Sequence, residues 1–197
     1  MIFGLFRAGP SPSTDALYAA IVSEARRVVF YAEYGVPDTA TARFDMVVLH
    51  LALVVRRLEG AADPETLLPA EGRRKPQTLA GRMQELVDRF FADMDASLRE
   101  MGVGDVAVPK RMTKLAGAWT GRARAYAAAL AADDRTALVE SLARNVFADA
   151  TPRDGAAALA AHVVDAAAAL DAQPLDRLLA GHVAWPDPAV HSPGIAP

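Results

Sequence analysis

The sequence contains no cysteine, which excludes disulfides, thiol catalysis and cysteine-ligated zinc. Neither sign of charge dominates, since 21 Lys and Arg against 24 Asp and Glu leave a net charge of −3. A chain so balanced has no overall field to favour DNA or an acidic polymer, and no DNA partner is expected. Histidine is scarce and scattered: His50, His162, His182 and His191 show no metal-ligand spacing with one another or with a glutamate, so no metal is expected. No serine occupies a nucleophile elbow. With no catalytic residue and no cofactor motif, the chain does not read as an enzyme. Long hydrophobic runs are also missing. The longest strongly apolar one, Met46 to Val55, falls well short of the roughly 20 residues a membrane span needs, and it is broken by His50 and followed by Arg56 and Arg57.

What is present is helical periodicity over a length that suits one domain with a sizeable core. Leu17, Tyr18, Ile21, Val22, Ala25, Val28 and Val29 recur at helical spacing after an N-cap at Ser13 or Thr14, and this helix ends at the Gly35–Pro37 turn. From about Ala42 to Glu59 the chain is apolar on nearly every face. Val47, Val48, Val54 and Val55 would also suit a buried strand, but no partner strand is evident, and a central helix is the preferred reading. Residues 60–77 read as a loop with a basic knot at Arg73, Arg74 and Lys75.

A long helix then runs from about Thr78 to Met101, and another opens at Pro109 and ends near Ala132. Further helices follow Asp133, the capping-box start at Thr151, Pro152 and Asp154, and Pro174. The predicted fold is all-α, a single-domain bundle of about six to seven helices with irregular tails. It divides into an N-terminal tail (1–12), a core (13–150), alanine-rich helices packed on the core (151–181) and an extended tail (182–197). Ile2, Phe3, Leu5 and Phe6 read as a tail that frays or folds back, with a dip into a membrane interface as the alternative.

The stretch DMDASLREMGVGD (93–105) invites two readings that fail. A calcium loop would need glycine where Leu98 stands and a bidentate glutamate where Gly104 stands. A dinucleotide loop would need a preceding strand, not a long helix. Gly102 instead ends a helix in the left-handed conformation. Asp95 and Arg99 are spaced as a helix-surface ion pair, while Asp93 and Glu100 form either a solvated face or a partner-binding stripe. The next helix carries Lys110, Arg111, Lys114, Arg122 and Arg124 with no acid. That face suits anionic lipid, RNA or an acidic surface, or is simply solvated. Gly117 and Gly121 suggest close approach of an internal helix, and His50 reads as a hydrogen-bonded core histidine.

Two segments, YAEYGVPDTATARFDMVVLHLALVVRRL (31–58) and DRFFADMDASLREMGVGDVAVPKRMTKLAGAWTGR (88–122), resemble the ubiquinol–cytochrome c chaperone family, which assembles cytochrome b into the respiratory bc1 complex. Thr120 follows Trp119 where that resemblance leads one to expect a second aromatic. The resemblance implies a helical, non-enzymatic helper whose partner is cytochrome b or another bc1 subunit. Mitochondrial relatives work near the ribosomal exit with a small partner protein. The start of this chain is more similar to a bacterial member acting in the cytoplasm, at the inner face of the inner membrane. Oligomeric state is left open.

Such a helper needs an apolar groove with a charged rim. On this expectation the second to fourth helices build the groove, with Tyr31, Tyr34, Phe44, Phe91 and Trp119 as candidate anchors. Asp93, Arg99, Glu100, Asp105, Lys110, Arg111 and Lys114 would form its rim. The competing expectation is a peripheral membrane or ribosome adaptor that binds lipid or RNA through helix 109–132.

Overall fold

The computed structural model of the chain describes residues 9–61, 63–72, 74–148 and 153–193. Ile2, Phe3, Leu5, Phe6, Arg73, Thr151 and Pro152 lie outside these. The all-α bundle is present: α1 (Pro12–Ala25), α2 (Val28–Ala32), α3 (Ala40–Glu59), α4 (Leu79–Glu100), α5 (Val108–Ala131), α6 (Arg135–Asn145), α7 (Arg153–Ala172) and α8 (Leu175–Leu179). A 3-10 turn spans Pro188–His191. The loop after α3 holds one feature the sequence did not announce, an antiparallel pairing of β1 (Leu67–Leu68) with β2 (Gln77–Thr78).

Short polar side chains set the helix starts. Thr39 accepts from the Ala42 amide at 3.2 Å, Thr78 from Gly81 at 3.1 Å and Asp134 from Ala137 at 2.9 Å. Each satisfies an orphan amide and contributes about 1 kcal/mol. For α1 the cap is Ser11, ahead of the expected Ser13 or Thr14, with Pro12 opening the helix. The first helix also stops sooner than its periodicity suggests. Arg27 adopts an extended conformation (φ −59°, ψ 130°) and the short α2 begins after it. Val28, expected on the apolar face, is 76% exposed. The Tyr31 hydroxyl reaches back across this break to the Ala25 carbonyl at 2.9 Å, satisfying one of the acceptors a helix end leaves open.

Helix α3 is central, touching α1, α4, α5 and α7. Every residue from Asp45 to Val54 is buried, which explains why its sequence is apolar on all faces. Helix α7 packs against α3 and α6. By length and mean hydropathy (1.3 over Asp154–Ala172) it also passes for a membrane span, an apolarity that alanine supplies. Half of that window is buried in the bundle.

Residues 182–193 form a strap tied to the body along its length. The Gln173 amide bonds both N–H and C=O of Ala184 at 2.8 and 2.9 Å. Arg27 pairs with Asp187 at 2.9 Å, the Tyr34 hydroxyl donates to the Pro188 carbonyl at 2.5 Å, and His191 bonds Asp165 at 2.6 Å.

Candidate functional site

Helices α4 and α5 are joined by the turn at Gly102, which takes the expected left-handed conformation (φ 78°). A row of aromatic contacts holds α3, α4 and α5 together. Phe90, fully buried, lies 5.7 Å from Phe44, 5.0 Å from Phe91 and 5.9 Å from Trp119 between ring centroids. Such contacts add about 0.5–1.5 kcal/mol each beyond area burial. Beyond this row a groove of about 660 Å³ opens, with Ala52, Val55, Arg56 and Glu59 of α3 as its floor. Ala80, Met83 and Val87 form one wall, and Trp119, Ala123 and Ala127 the other. Five alanines line it, and Arg56, Glu59 and Arg124 are its charged groups.

The groove therefore comes from the three helices expected to form it, but most of the expected residues do not line it. Trp119 does. Phe44 and Phe91 join it in the aromatic row around the buried Phe90. Tyr31 is half-buried, with its hydroxyl spent on Ala25. Tyr34 is corrected as an anchor: it is 1% exposed and its hydroxyl is engaged by Pro188, so no client side chain reaches it. Burial pushes that hydroxyl up to about 12.

The charged candidates lie away from the groove, toward the α4–α5 turn. Asp93 faces α1, accepting from the Tyr18 hydroxyl at 2.9 Å and pairing with Arg89 at 3.6 Å. Arg99 pairs with Asp95 at 2.7 Å, as its spacing predicts, and also with Asp105. Glu100 is exposed. Lys110, Arg111 and Lys114 are exposed and meet no acid among the described residues. Arg122 leaves the basic set, because it turns inward to Asp45.

Gly117 and Gly121 do not receive an internal helix. Both are exposed, and among the described residues nothing approaches within 4 Å of where a Cβ would stand. With Lys110, Lys114, Arg124 and Ala128, all exposed, they form a small-residue face at three- and four-residue spacing along the groove's outer edge.

Among the described residues, a group able to hold a metal lies elsewhere. Glu24, His50 and His162 offer ligand atoms within 4.8 Å of one another, all buried. Their separation along the chain hides them from any spacing rule. Burial holds both imidazoles neutral, His50 down to about 4 and His162 to about 3.

Comparison with known proteins gives a consistent result. The family model described as ubiquinol-cytochrome C chaperone matches residues 32–185. The crystal structure of the Cbp3 homolog from Brucella abortus is 38% identical in sequence, with 90% of each chain covered and a TM-score of 0.76. No curated protein matches.

Proposed function

Because this chain belongs to the ubiquinol–cytochrome c chaperone family, we propose that it is a non-enzymatic assembly chaperone of the bc1 complex that holds an apolar helical segment of cytochrome b in the α3–α4–α5 groove. The groove is the observation that carries this reading. It is lined mainly by apolar side chains, carries Arg56, Glu59 and Arg124 as its charged groups, and is flanked by the glycine face of α5. A helix laid in an apolar groove gains by burying one stripe of side chains, and small residues let a second backbone come close. We place the protein at the cytoplasmic face of the inner membrane, where such a client is inserted.

A photo-crosslinking amino acid at Thr120, on the groove edge, is expected to capture cytochrome b in the native host. The same group at Glu140, on α6, serves as the control. Equal capture from both positions, or none from Thr120, would sink the reading. Filling the groove with Ala127→Trp is expected to weaken client capture by about 2 kcal/mol, roughly thirtyfold, with the helical circular dichroism unchanged.

Lys110, Arg111 and Lys114, which pair with no acid among the described residues, favour a second reading, adhesion to anionic lipid or RNA. Reversing all three to glutamate is expected to reduce membrane association at low salt, because each basic residue near an anionic surface contributes about 1 kcal/mol. Wild-type association should itself fall as salt rises. Client capture that collapses with salt in parallel would make the adaptor the better account. Capture that persists supports the groove.

A further inference from the structure

We propose that Glu24, His50 and His162 form a binding site for a zinc-class divalent cation, distinct from the groove and independent of it. The three side chains come from α1, α3 and α7, and their ligand atoms lie within 4.8 Å of one another in a buried space. Glu24 Oε1 stands 4.0 Å from His162 Nε2, too far for a hydrogen bond. Glu24 Oε1 and both ring nitrogens of His162 are buried with no hydrogen-bond partner among the described residues. A native fold rarely leaves so many polar atoms unsatisfied together.

The tautomer of His50 suits a ligand. Its Nδ1 lies 2.8 Å from the Met46 carbonyl. A carbonyl only accepts, so Nδ1 carries the proton and Nε2 keeps its lone pair. A ring N–H donated to a backbone carbonyl is the usual outer support of a metal-bound histidine. The rest of the shell is aromatic, with Phe30 5.6 Å from His50 and 5.1 Å from His162, and Trp185 5.3 Å from His50.

The three ligand atoms lie no more than 4.8 Å apart, and Glu24 Oε1 and His162 Nε2 only 4.0 Å, so an ion between them would sit at most about 2.8 Å from each, against about 2.0–2.1 Å for zinc bound to nitrogen or oxygen. Side-chain rotation of at most about 0.7 Å per donor closes that gap. Two imidazoles and a carboxylate form a donor set that borderline divalent ions take, with the remaining position left to water. The competing claim on Glu24 is weak: Arg27 reaches Oε1 only at 3.8 Å and is itself held by Asp187 at 2.9 Å. The strap residue Trp185 lies against His50, so entry to the site runs through displacement of residues 182–193. Once bound, the ion ties α7 to α1 and α3.

The test uses the full chain without a tag, stripped with chelator and then dialysed against Zn2+ alone. One zinc per chain should remain by elemental analysis, and Co2+ in its place should give visible d–d absorption. The unfolding midpoint should rise with free Zn2+. His162→Gln is expected to weaken retention roughly 100-fold or more, and so is Glu24→Gln, which serves if the histidine variant fails to fold. A His182→Gln, His191→Gln double variant should keep the ion. Absence of stoichiometric zinc and cobalt in the wild-type chain would overturn the proposal. Zinc lost only with His182 and His191 would overturn it equally, as surface binding.

Discussion

Gly155→Ala is expected to destabilise the protein by about 3 kcal/mol or more, lowering the thermal midpoint by roughly 10 °C. Gly155 is buried in the first turn of α7, and a Cβ there would stand 2.1 Å from the Tyr34 carbonyl oxygen and 3.3 Å from the Phe147 ring. The first contact is with backbone, which cannot swing aside as a long side chain does. Tyr34 is fixed from several directions. Its amide bonds the Val29 carbonyl at 3.2 Å, its ring meets Phe30 edge-on at 5.5 Å, and its hydroxyl holds the strap. Accommodating one methyl group therefore moves the start of α7 away from α2, and with it His162. The matched controls are Gly117→Ala and Gly121→Ala in α5, which meet nothing within 4 Å among the described residues. Each is expected to stabilise by about 1 kcal/mol, because alanine is the better helix former. Urea unfolding of the three variants checks both signs, and a loss at Gly155 no larger than a few tenths of a kcal/mol would refute the clash.

Those glycines show where sequence reading reaches its limit. Gly102 was legible because a helical stripe stops there and the chain must reverse, which is local information. Gly155, Gly117 and Gly121 all sit within helices, and only the neighbours brought by the fold tell a required glycine from a dispensable one. The same divide runs through the site. Periodicity placed α3, α4 and α5 and so anticipated a groove between them. It did not anticipate that Tyr34 would turn to the strap, that Asp93 would serve Tyr18, or that Arg122 would leave the basic face. Each of those side chains takes a partner far away in the chain. Of the donors Glu24, His50 and His162, only His50 stands out along the chain, as a hydrogen-bonded core histidine, which its burial and its 2.8 Å bond to Met46 bear out. Their meeting depends on how α7 closes on α1 and α3, and no pattern along the chain encodes that.

Arg122→Ala is expected to cost about 3–5 kcal/mol at about pH 8.5 and only about 1 kcal/mol at about pH 5. Asp45 is 1% exposed, pairs with Arg122, and has no hydrogen-bond partner for Oδ2 among the described residues. Burial pushes its carboxyl from 3.8 up to about 7, against the pull of Arg122. The folded state therefore holds a proton between about pH 4 and pH 7 that the unfolded chain has released. Asp45 favours folding least where it is charged, and its contribution falls as pH rises through that window. Removing Arg122 takes away the group that makes the charged form tolerable, so the window extends upward and the penalty grows with pH. Below it Asp45 is neutral with or without the arginine. What is then lost is the packing of the guanidinium over the Phe44 ring at 5.7 Å, a contact of about 1 kcal/mol for a side chain that is 19% exposed. Urea midpoints of the wild type, Arg122→Ala and the Asp45→Asn, Arg122→Ala double variant at the two pH values separate these contributions. The double variant should lose the pH dependence, and an equal loss at both pH values in the single variant would disprove the account. The pair also joins α5 to α3 beside the aromatic row that meets the groove at Trp119. If the groove holds the client, Arg122→Ala at high pH should weaken client capture before the bundle unfolds, because the wall carrying Trp119 and Ala123 loses its tether to the floor.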